Sequence, residues 1–105
     1  RHTVNRETAS ALIKAMTTTV KSGTARKAFY SKQGAPYLPG IQVAGKTGTL
    51  MGRKPYRAYT WFAGMAPADK PEVAISVLVV NEPRWRIKAS AVAARILKRY
   101  FELTQ

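Results

Sequence analysis

Near the start of the chain, apolar residues recur at the three- and four-residue spacing of a helix. The stripe consists of Leu12, Ile13, Met16 and Val20. It predicts a helix over residues 6–22 that packs against another element. Asn5 is placed as its N-cap and Gly23 as its stop, whereas the run Thr17 to Thr19 weakens its second half.

Three segments in the middle of the chain have the composition of β-strands: residues 42–49, 59–65 and 73–80. The third is almost entirely aliphatic, so we expect both of its faces to be covered, in a sheet that lies between two other layers. Residues 66–71 are rich in proline and alanine and predict a turn that makes the last two strands antiparallel neighbours. Residues 51–58 predict a longer, basic and exposed loop.

The clearest helical pattern is at the C-terminal end. Its apolar residues are Ala89, Val92, Ala93, Ile96, Leu97, Tyr100 and Phe101. An amphipathic helix is predicted here, with Val92, Ile96 and Tyr100 facing the sheet. Residues 23–40, which contain several Gly and Pro residues, predict a connecting segment. The sequence therefore predicts an α+β fold made of a helix, a three-stranded antiparallel sheet and a C-terminal helix.

Composition limits the functions that the chain can have. Its 105 residues suffice for one small domain or a piece of a larger one, and 18 Lys and Arg against 5 Asp and Glu give a net charge of +13. Such a charge favours an anionic partner: nucleic acid, an acidic membrane surface or an anionic polymer. Cysteine is absent and the acidic residues lack metal-ligand spacing, so we expect neither a metal nor another cofactor. No run of residues approaches the ~20 apolar residues of a membrane span.

The candidate chemistry lies in the first predicted strand, at Lys46-Thr47-Gly48 followed by Thr49. Alone, the triplet is a weak signal, because an ordinary strand end with a surface lysine has the same residues. It belongs, however, to an ordered series. The series is Gly23-Thr24-Ala25, then Val43-Ala44-Gly45-Lys46-Thr47-Gly48-Thr49, then Trp61-Phe62-Ala63-Gly64-Met65-Ala66-Pro67.

With this series the chain resembles the penicillin-binding transpeptidases over most of its length. The resemblance implies the β-lactamase/transpeptidase-like fold, with residues 1–105 as the C-terminal portion of an incomplete domain. It also implies that Lys46 keeps the site positive and bonds the serine of a Ser-x-Asn motif. Thr47 and Thr49 would bind the substrate carboxylate, and the Thr49 N–H would contribute to the oxyanion hole. Gly48 would let the substrate backbone lie close to the strand.

The family's other two motifs, Ser-x-x-Lys with the nucleophile and Ser-x-Asn, are missing from this chain. The serines are Ser10, Ser22, Ser31, Ser76 and Ser90, and none has a lysine three residues on or an asparagine two residues on. Either the chain begins downstream of both motifs, or it is a degenerate homologue. In both cases the chain alone is expected to be inactive.

The function implied by the resemblance is that of a serine D,D-transpeptidase, which cross-links peptidoglycan and is acylated by β-lactams. Its partners would be stem peptides ending in D-Ala-D-Ala and β-lactam antibiotics, at the outer face of the cytoplasmic membrane, with any anchor outside this chain. A D,D-carboxypeptidase or a β-lactamase of the same fold remains an alternative.

A basic nucleic-acid-binding module is an alternative from another class, supported by the charge and by Tyr56, Tyr59 and Trp85. The basic residues are dispersed over all predicted elements, which disfavours this alternative, and no nucleic-acid partner is expected.

The resemblance also implies a five-stranded sheet, of which this chain provides three strands. The outer strands then become edges, and the aliphatic segment 73–80 is the kind of edge that recruits another strand. We therefore expect a homodimer through a sheet edge or an apolar helix face, or association with the remainder of the domain.

Overall fold

A computed structural model describes residues 5–53, 56–81 and 87–104. The elements in this part of the chain are α1 (Arg6–Ser22), α2 (Arg26–Phe29), β1 (Ala44–Arg53), β2 (Tyr56–Ala66), β3 (Val73–Asn81) and α3 (Ala89–Thr104). The predicted α+β class is confirmed, with one addition, because the short helix α2 lies in the segment predicted as a connection. Trp85, named above in support of a nucleic-acid-binding module, lies outside the described residues.

Helix α1 begins and ends at the predicted residues because both of its ends are capped. The Asn5 side chain accepts a hydrogen bond from the N–H of Thr8 at 2.7 Å. At the other end, a Cβ on Gly23 would lie 2.9 Å from the Cα of Thr19, so only glycine fits there. The helix continues through the threonine run, where the Thr17 hydroxyl donates to the carbonyl of Ile13 at 2.7 Å, a bond that a helical backbone accommodates.

The three strands form one antiparallel sheet in the order β1-β2-β3, with β2 in the centre. In its register, Lys46 pairs with Ala63 and Gly48 pairs with Trp61. Trp61 in turn pairs with Leu78 on β3. Strand β1 therefore lies at an edge of the described sheet.

The predicted exposed loop at residues 51–58 is wrong for most of its length. Strand β1 continues to Arg53 and β2 already begins at Tyr56, with Met51 paired to Ala58 and Gly52 to Arg57. Pairing satisfies the backbone N–H and C=O groups of these residues, which outweighs their loop-like basic and glycine content. Lys54, part of that predicted loop, lies outside the described residues.

One face of the sheet is covered by the helices. The core there contains the fully buried side chains of Phe62, Leu97 and Val20, from β2, α3 and α1. Helix α3 packs on β2 and β3, as predicted. Phe29 of α2 joins this core, with its ring centroid 5.6 Å from that of Phe62, and so does Leu38.

Of the residues predicted to join α3 to the sheet, Tyr100 packs against the core, whereas the prediction is wrong for Ile96. The fully covered row is Ala93, Leu97 and Phe101, whereas Ile96 is 48% exposed. Val92 and Tyr100 are only partly buried. The small side chains of Ala89 and Ala93 let the helix backbone approach the sheet, and this turns Leu97 and Phe101 inward.

The opposite face of the sheet is open, so the prediction that β3 is covered on both faces is wrong for the described part of the chain. Residues of β3 alternate between partly buried and exposed, and the exposed ones include Leu78 (64%) and Val80 (46%). Leu50 and Trp61 lie on the same side through their pairing in the sheet. We call the surface formed by Leu50, Trp61, Leu78 and Val80 the open face.

The predicted turn at residues 66–71 is present, and the N–H of Glu72 donates to the carbonyl of Ala66 at 3.0 Å. In the segment between α2 and β1, Gly34 (φ 88°) and Gly40 (φ 77°) adopt the left-handed conformation that favours glycine. In the described ranges, no helix combines the length and apolar character that crossing a bilayer requires.

Candidate active site

The residues Lys46 to Thr49 lie near the middle of β1, along the outer edge of the described sheet. Lys46 and Gly48 share the side of the sheet that carries the open face, whereas Thr47 and Thr49 lie on the helix-covered side. Lys46 and Thr49 are exposed, and Thr47 and Gly48 are partly buried. The sequence-predicted site residues are thus together at one edge.

An edge strand directs alternate backbone N–H and C=O groups away from its neighbour. In the sheet as described, no strand pairs with the outer side of β1. An extended peptide can therefore pair along β1, and its terminal carboxylate can meet Lys46 from one face and the threonine hydroxyls from the other. The arrangement suits the binding of an anionic peptide end.

The turn after α1 contacts this strand through Thr24, a residue to which the sequence analysis assigned no role. The hydroxyl oxygens of Thr24 and Thr47 lie 2.7 Å apart, joining the turn after α1 to β1. Thr24 lies in the Gly23-Thr24-Ala25 series, but its spatial neighbour is 23 residues away. Neither periodicity nor a local motif indicates such a contact.

Gly48 has a structural partner. A Cβ built on Gly48 would collide with the indole ring of Trp61, which lies across the glycine on the neighbouring strand. The resemblance implied that the space beside Gly48 admits a substrate backbone. On this face of the sheet, that space is occupied by Trp61, which is 41% exposed. Gly48 lets the indole lie flat on β1.

Gly45 makes room for an aromatic ring on the helix-covered face, as Gly48 does on the open face. A Cβ on Gly45 would collide with the ring of Phe62, and one on Gly64 would lie 2.5 Å from the carbonyl oxygen of Ala44. Two aromatic rings of β2 therefore lie against two glycines of β1, one on each face, at either end of the Lys46-Thr47 pair. Such cross-strand pairs fix the register of a sheet.

The serines lie in several elements. Ser22 donates to the Thr18 carbonyl at 3.4 Å, and Ser31 accepts from the N–H of Ala35 at 3.1 Å. Ser90 is buried in α3. Within residues 5–53, 56–81 and 87–104, no three His, Asp or Glu side chains come together, and we assign no metal site.

Cationic side chains are spread over the fold. Lys14, Arg26, Lys46, Arg57 and Arg95 come from five different elements, α1, α2, β1, β2 and α3. A nucleic-acid interface gathers its cations on one surface or helix. Among the described residues, the cations therefore do not come from a single basic helix of the kind that would favour the basic-module alternative.

Residues 1–102 match the model of the penicillin binding protein transpeptidase domain. Over 69 residues, 62% of this chain, the sequence is 39% identical to the peptidoglycan D,D-transpeptidase PbpA of Mycobacterium tuberculosis, of which the match covers 14%.

Solved structures give the same result. The D,D-transpeptidase domain of a peptidoglycan glycosyltransferase from Eggerthella lenta superposes with a TM-score of 0.72 at 31% identity, over 96% of this chain and 21% of that chain. The imipenem acyl-enzyme complex of penicillin-binding protein A from M. tuberculosis superposes at 0.68 with 28% identity, over 96% and 21%. The chain thus spans about a fifth or less of these relatives.

Proposed function

Because the chain belongs to the penicillin-binding protein transpeptidase family, we propose that it is the C-terminal portion of a serine D,D-transpeptidase domain and provides one strand of the active site. The observation that carries the proposal is the position of Lys46 to Thr49 along the edge of β1 that has no partner strand in the described sheet, with Lys46 and Thr49 exposed to solvent. The D,D-transpeptidase relatives support the reaction class.

The proposed reaction is acyl transfer in two steps. A serine oxygen attacks the carbonyl carbon between the two D-alanines of a stem peptide, and the terminal D-alanine leaves with the proton on its amine. An amine of a neighbouring peptide then attacks the ester and releases the serine. The serine comes from a Ser-x-x-Lys motif outside the sequence of this chain.

In this reaction β1 binds and orients the donor peptide. The hydroxyls of Thr47 and Thr49 donate hydrogen bonds to the terminal carboxylate, while the Lys46 ammonium makes the site positive. The backbone N–H of Thr49 stabilises the oxyanion that forms on the attacked carbonyl. The edge position of β1 supports this assignment, because a peptide that pairs in the plane of the sheet is reached from both faces.

We further propose β-lactams as ligands of the same strand, since they carry a carboxylate and a reactive carbonyl in a similar arrangement. The structural relative described as an imipenem acyl-enzyme complex supports this ligand class.

The proposed location is the outer face of the cytoplasmic membrane, where peptidoglycan is assembled and where a positive surface favours contact with anionic lipids. Water in place of the amine would give a D,D-carboxypeptidase or a β-lactamase.

The open face supports association with further polypeptide. Leu50, Trp61, Leu78 and Val80 are each at least 41% exposed on one side of the sheet, and apolar surfaces of this kind are normally buried against another layer. We propose the remainder of the transpeptidase domain as its cover, with a second copy of the chain as the form that the isolated chain would take.

The experiment that tests the proposed function replaces Lys46 by alanine in a protein that carries this segment within a complete transpeptidase domain. We expect Lys46→Ala to slow acylation by penicillin about 10- to 1000-fold, the scale of one lost preorganised electrostatic contact. Lys70→Ala is the matched control, because Lys70 is exposed in the turn between β2 and β3. Equal acylation rates in the two variants would show that the motif match is misleading.

A further inference from the structure

The turn between α1 and α2 brings a second hydroxyl to the candidate active site. The Thr24 hydroxyl lies 2.7 Å from that of Thr47, the usual distance of a hydrogen bond between two hydroxyl groups. Thr24 is exposed and Thr47 is partly buried, so the pair lies where solvent or a ligand reaches it.

This turn is held in place from several directions, which leaves Thr24 little freedom. The N–H groups of Gly23 and Ala25 both donate to the Thr19 carbonyl at 3.1 Å. Ala25 is buried in the core, and the guanidinium of Arg26 donates to the carbonyl of Lys21. The turn therefore holds the backbone of Thr24 beside β1, where its hydroxyl reaches Thr47.

A pair of hydroxyls contains two protons, and only one of them lies between the oxygens. If Thr47 donates to Thr24, its own proton is used and its lone pairs face the ligand, which repels a carboxylate. If Thr24 donates to Thr47, the Thr47 proton is free to point at the ligand. Hydrogen bonds in such a chain also strengthen one another.

We propose that Thr24 is a positioning residue, which donates its proton to Thr47 and thereby directs the Thr47 hydroxyl toward the carboxylate of the donor peptide. This inference rests on the proposed function, in which Thr47 binds that carboxylate. A purely structural bond between the turn and β1 would have no such dependence on the ligand's charge.

The test uses a protein that carries this segment within a complete transpeptidase domain, acylated either by a penicillin or by the methyl ester of the same penicillin. Thr24→Val removes the hydroxyl at nearly constant volume and is expected to lower the acylation rate constant for the free acid about two- to tenfold, the effect of one hydrogen bond. The rate for the ester is expected to be unchanged. Thr24→Ser should restore the rate for the acid, because it restores the donor.

Two further variants distinguish the positioning role of Thr24 from a purely structural bond between the turn and β1. Thr47→Val removes the residue on which Thr24 acts, so Thr24→Val in that background should have no additional effect on the acid. Thr18→Val is the matched control: Thr18 is exposed on α1 and its hydroxyl donates to a helix carbonyl at 3.1 Å.

Three results would overturn the inference: equal losses for acid and ester, additive losses in the double variant, or a Thr24→Val rate equal to that of the unmodified protein. Melting temperatures of Thr24→Val and Thr18→Val show whether a loss is only one of folding. If the unmodified protein is not acylated by the penicillin at all, the proposed function itself fails, which is a different outcome from the other three.

Discussion

Substitution of Gly48 by alanine tests why a glycine lies within the Lys46-Thr47-Gly48 triplet. The added Cβ would collide with the indole of Trp61, at a separation below the 3.0 Å at which a neighbour must move. The resemblance to the transpeptidases gave a different reason, namely close approach of the substrate backbone. The two reasons predict different behaviour when Trp61 is also replaced.

Overpacking of this kind costs about 1–3 kcal/mol. Trp61 is 41% exposed in the structure, so its ring has some room to move and the lower half of that range, about 1–2 kcal/mol, is expected. In a complete transpeptidase domain of ordinary size, this corresponds to a decrease in melting temperature of roughly 2–8 °C. Replacement of Trp61 by alanine removes the collision, so Gly48→Ala in that background should cost nearly nothing.

The assay is a double-mutant cycle on the complete domain, with thermal unfolding and penicillin acylation measured for Gly48→Ala, Trp61→Ala, the double variant and the unmodified protein. For the free energy of unfolding, we expect a coupling of about 1–2 kcal/mol between the two positions. For acylation, we expect Trp61→Ala to restore the rate that Gly48→Ala lowers. Equal destabilisation by Gly48→Ala in both backgrounds would refute the packing explanation. An acylation loss that Trp61→Ala does not relieve would support substrate approach instead.

Three further predictions concern the chain as a whole. The isolated chain is expected to form no covalent adduct with a fluorescent penicillin, because none of its serines has the partnering lysine of the family motif; stoichiometric labelling on a gel would contradict this. In a complete domain, Leu97→Ala should lower the free energy of unfolding by about 2–5 kcal/mol, whereas Ile96→Ala, its exposed neighbour, should cost less than about 1 kcal/mol; equal losses in denaturant titrations would mean that α3 is rotated relative to the structure. The isolated chain should form dimers or larger species through a sheet edge or the open face, and a monomer by light scattering at high micromolar concentration would rule this out.

Local signals explain what could be predicted from the sequence about the fold. Asn5 and Gly23 mark both ends of α1 because capping depends on residues at the helix end alone. The contact row of α3 was not predictable in the same way. Its apolar residues cover a wide part of the helix surface, and the choice of Leu97 over Ile96 depends on how closely Ala93 lets the helix approach Phe62, which lies far away in sequence.

In the candidate site, too, the local features were predictable and the contact between distant residues was not. Lys46 and Thr49 were found from a motif because the motif is contiguous. The bond between Thr24 and Thr47 depends on a turn that packs through Ala25, and a single sequence contains no sign of that pairing. The roles assigned to Lys46, Thr47, Gly48 and Thr49 in catalysis and binding stay predictions.

The two glycines of β1 connect the stability of the sheet to the shape of its edge. Gly45 accommodates Phe62 on the helix-covered face, and Gly48 accommodates Trp61 on the other. Lys46 and Thr47 lie between these two contacts, so their backbone is held from both sides of the sheet. Trp61 also belongs to the open face, so a layer packed on this face would contact Trp61 and, through it, Gly48. Because β1 is held by Phe62 on one face and Trp61 on the other, we expect its edge to be more ordered in a complete domain that covers the open face than in the isolated chain.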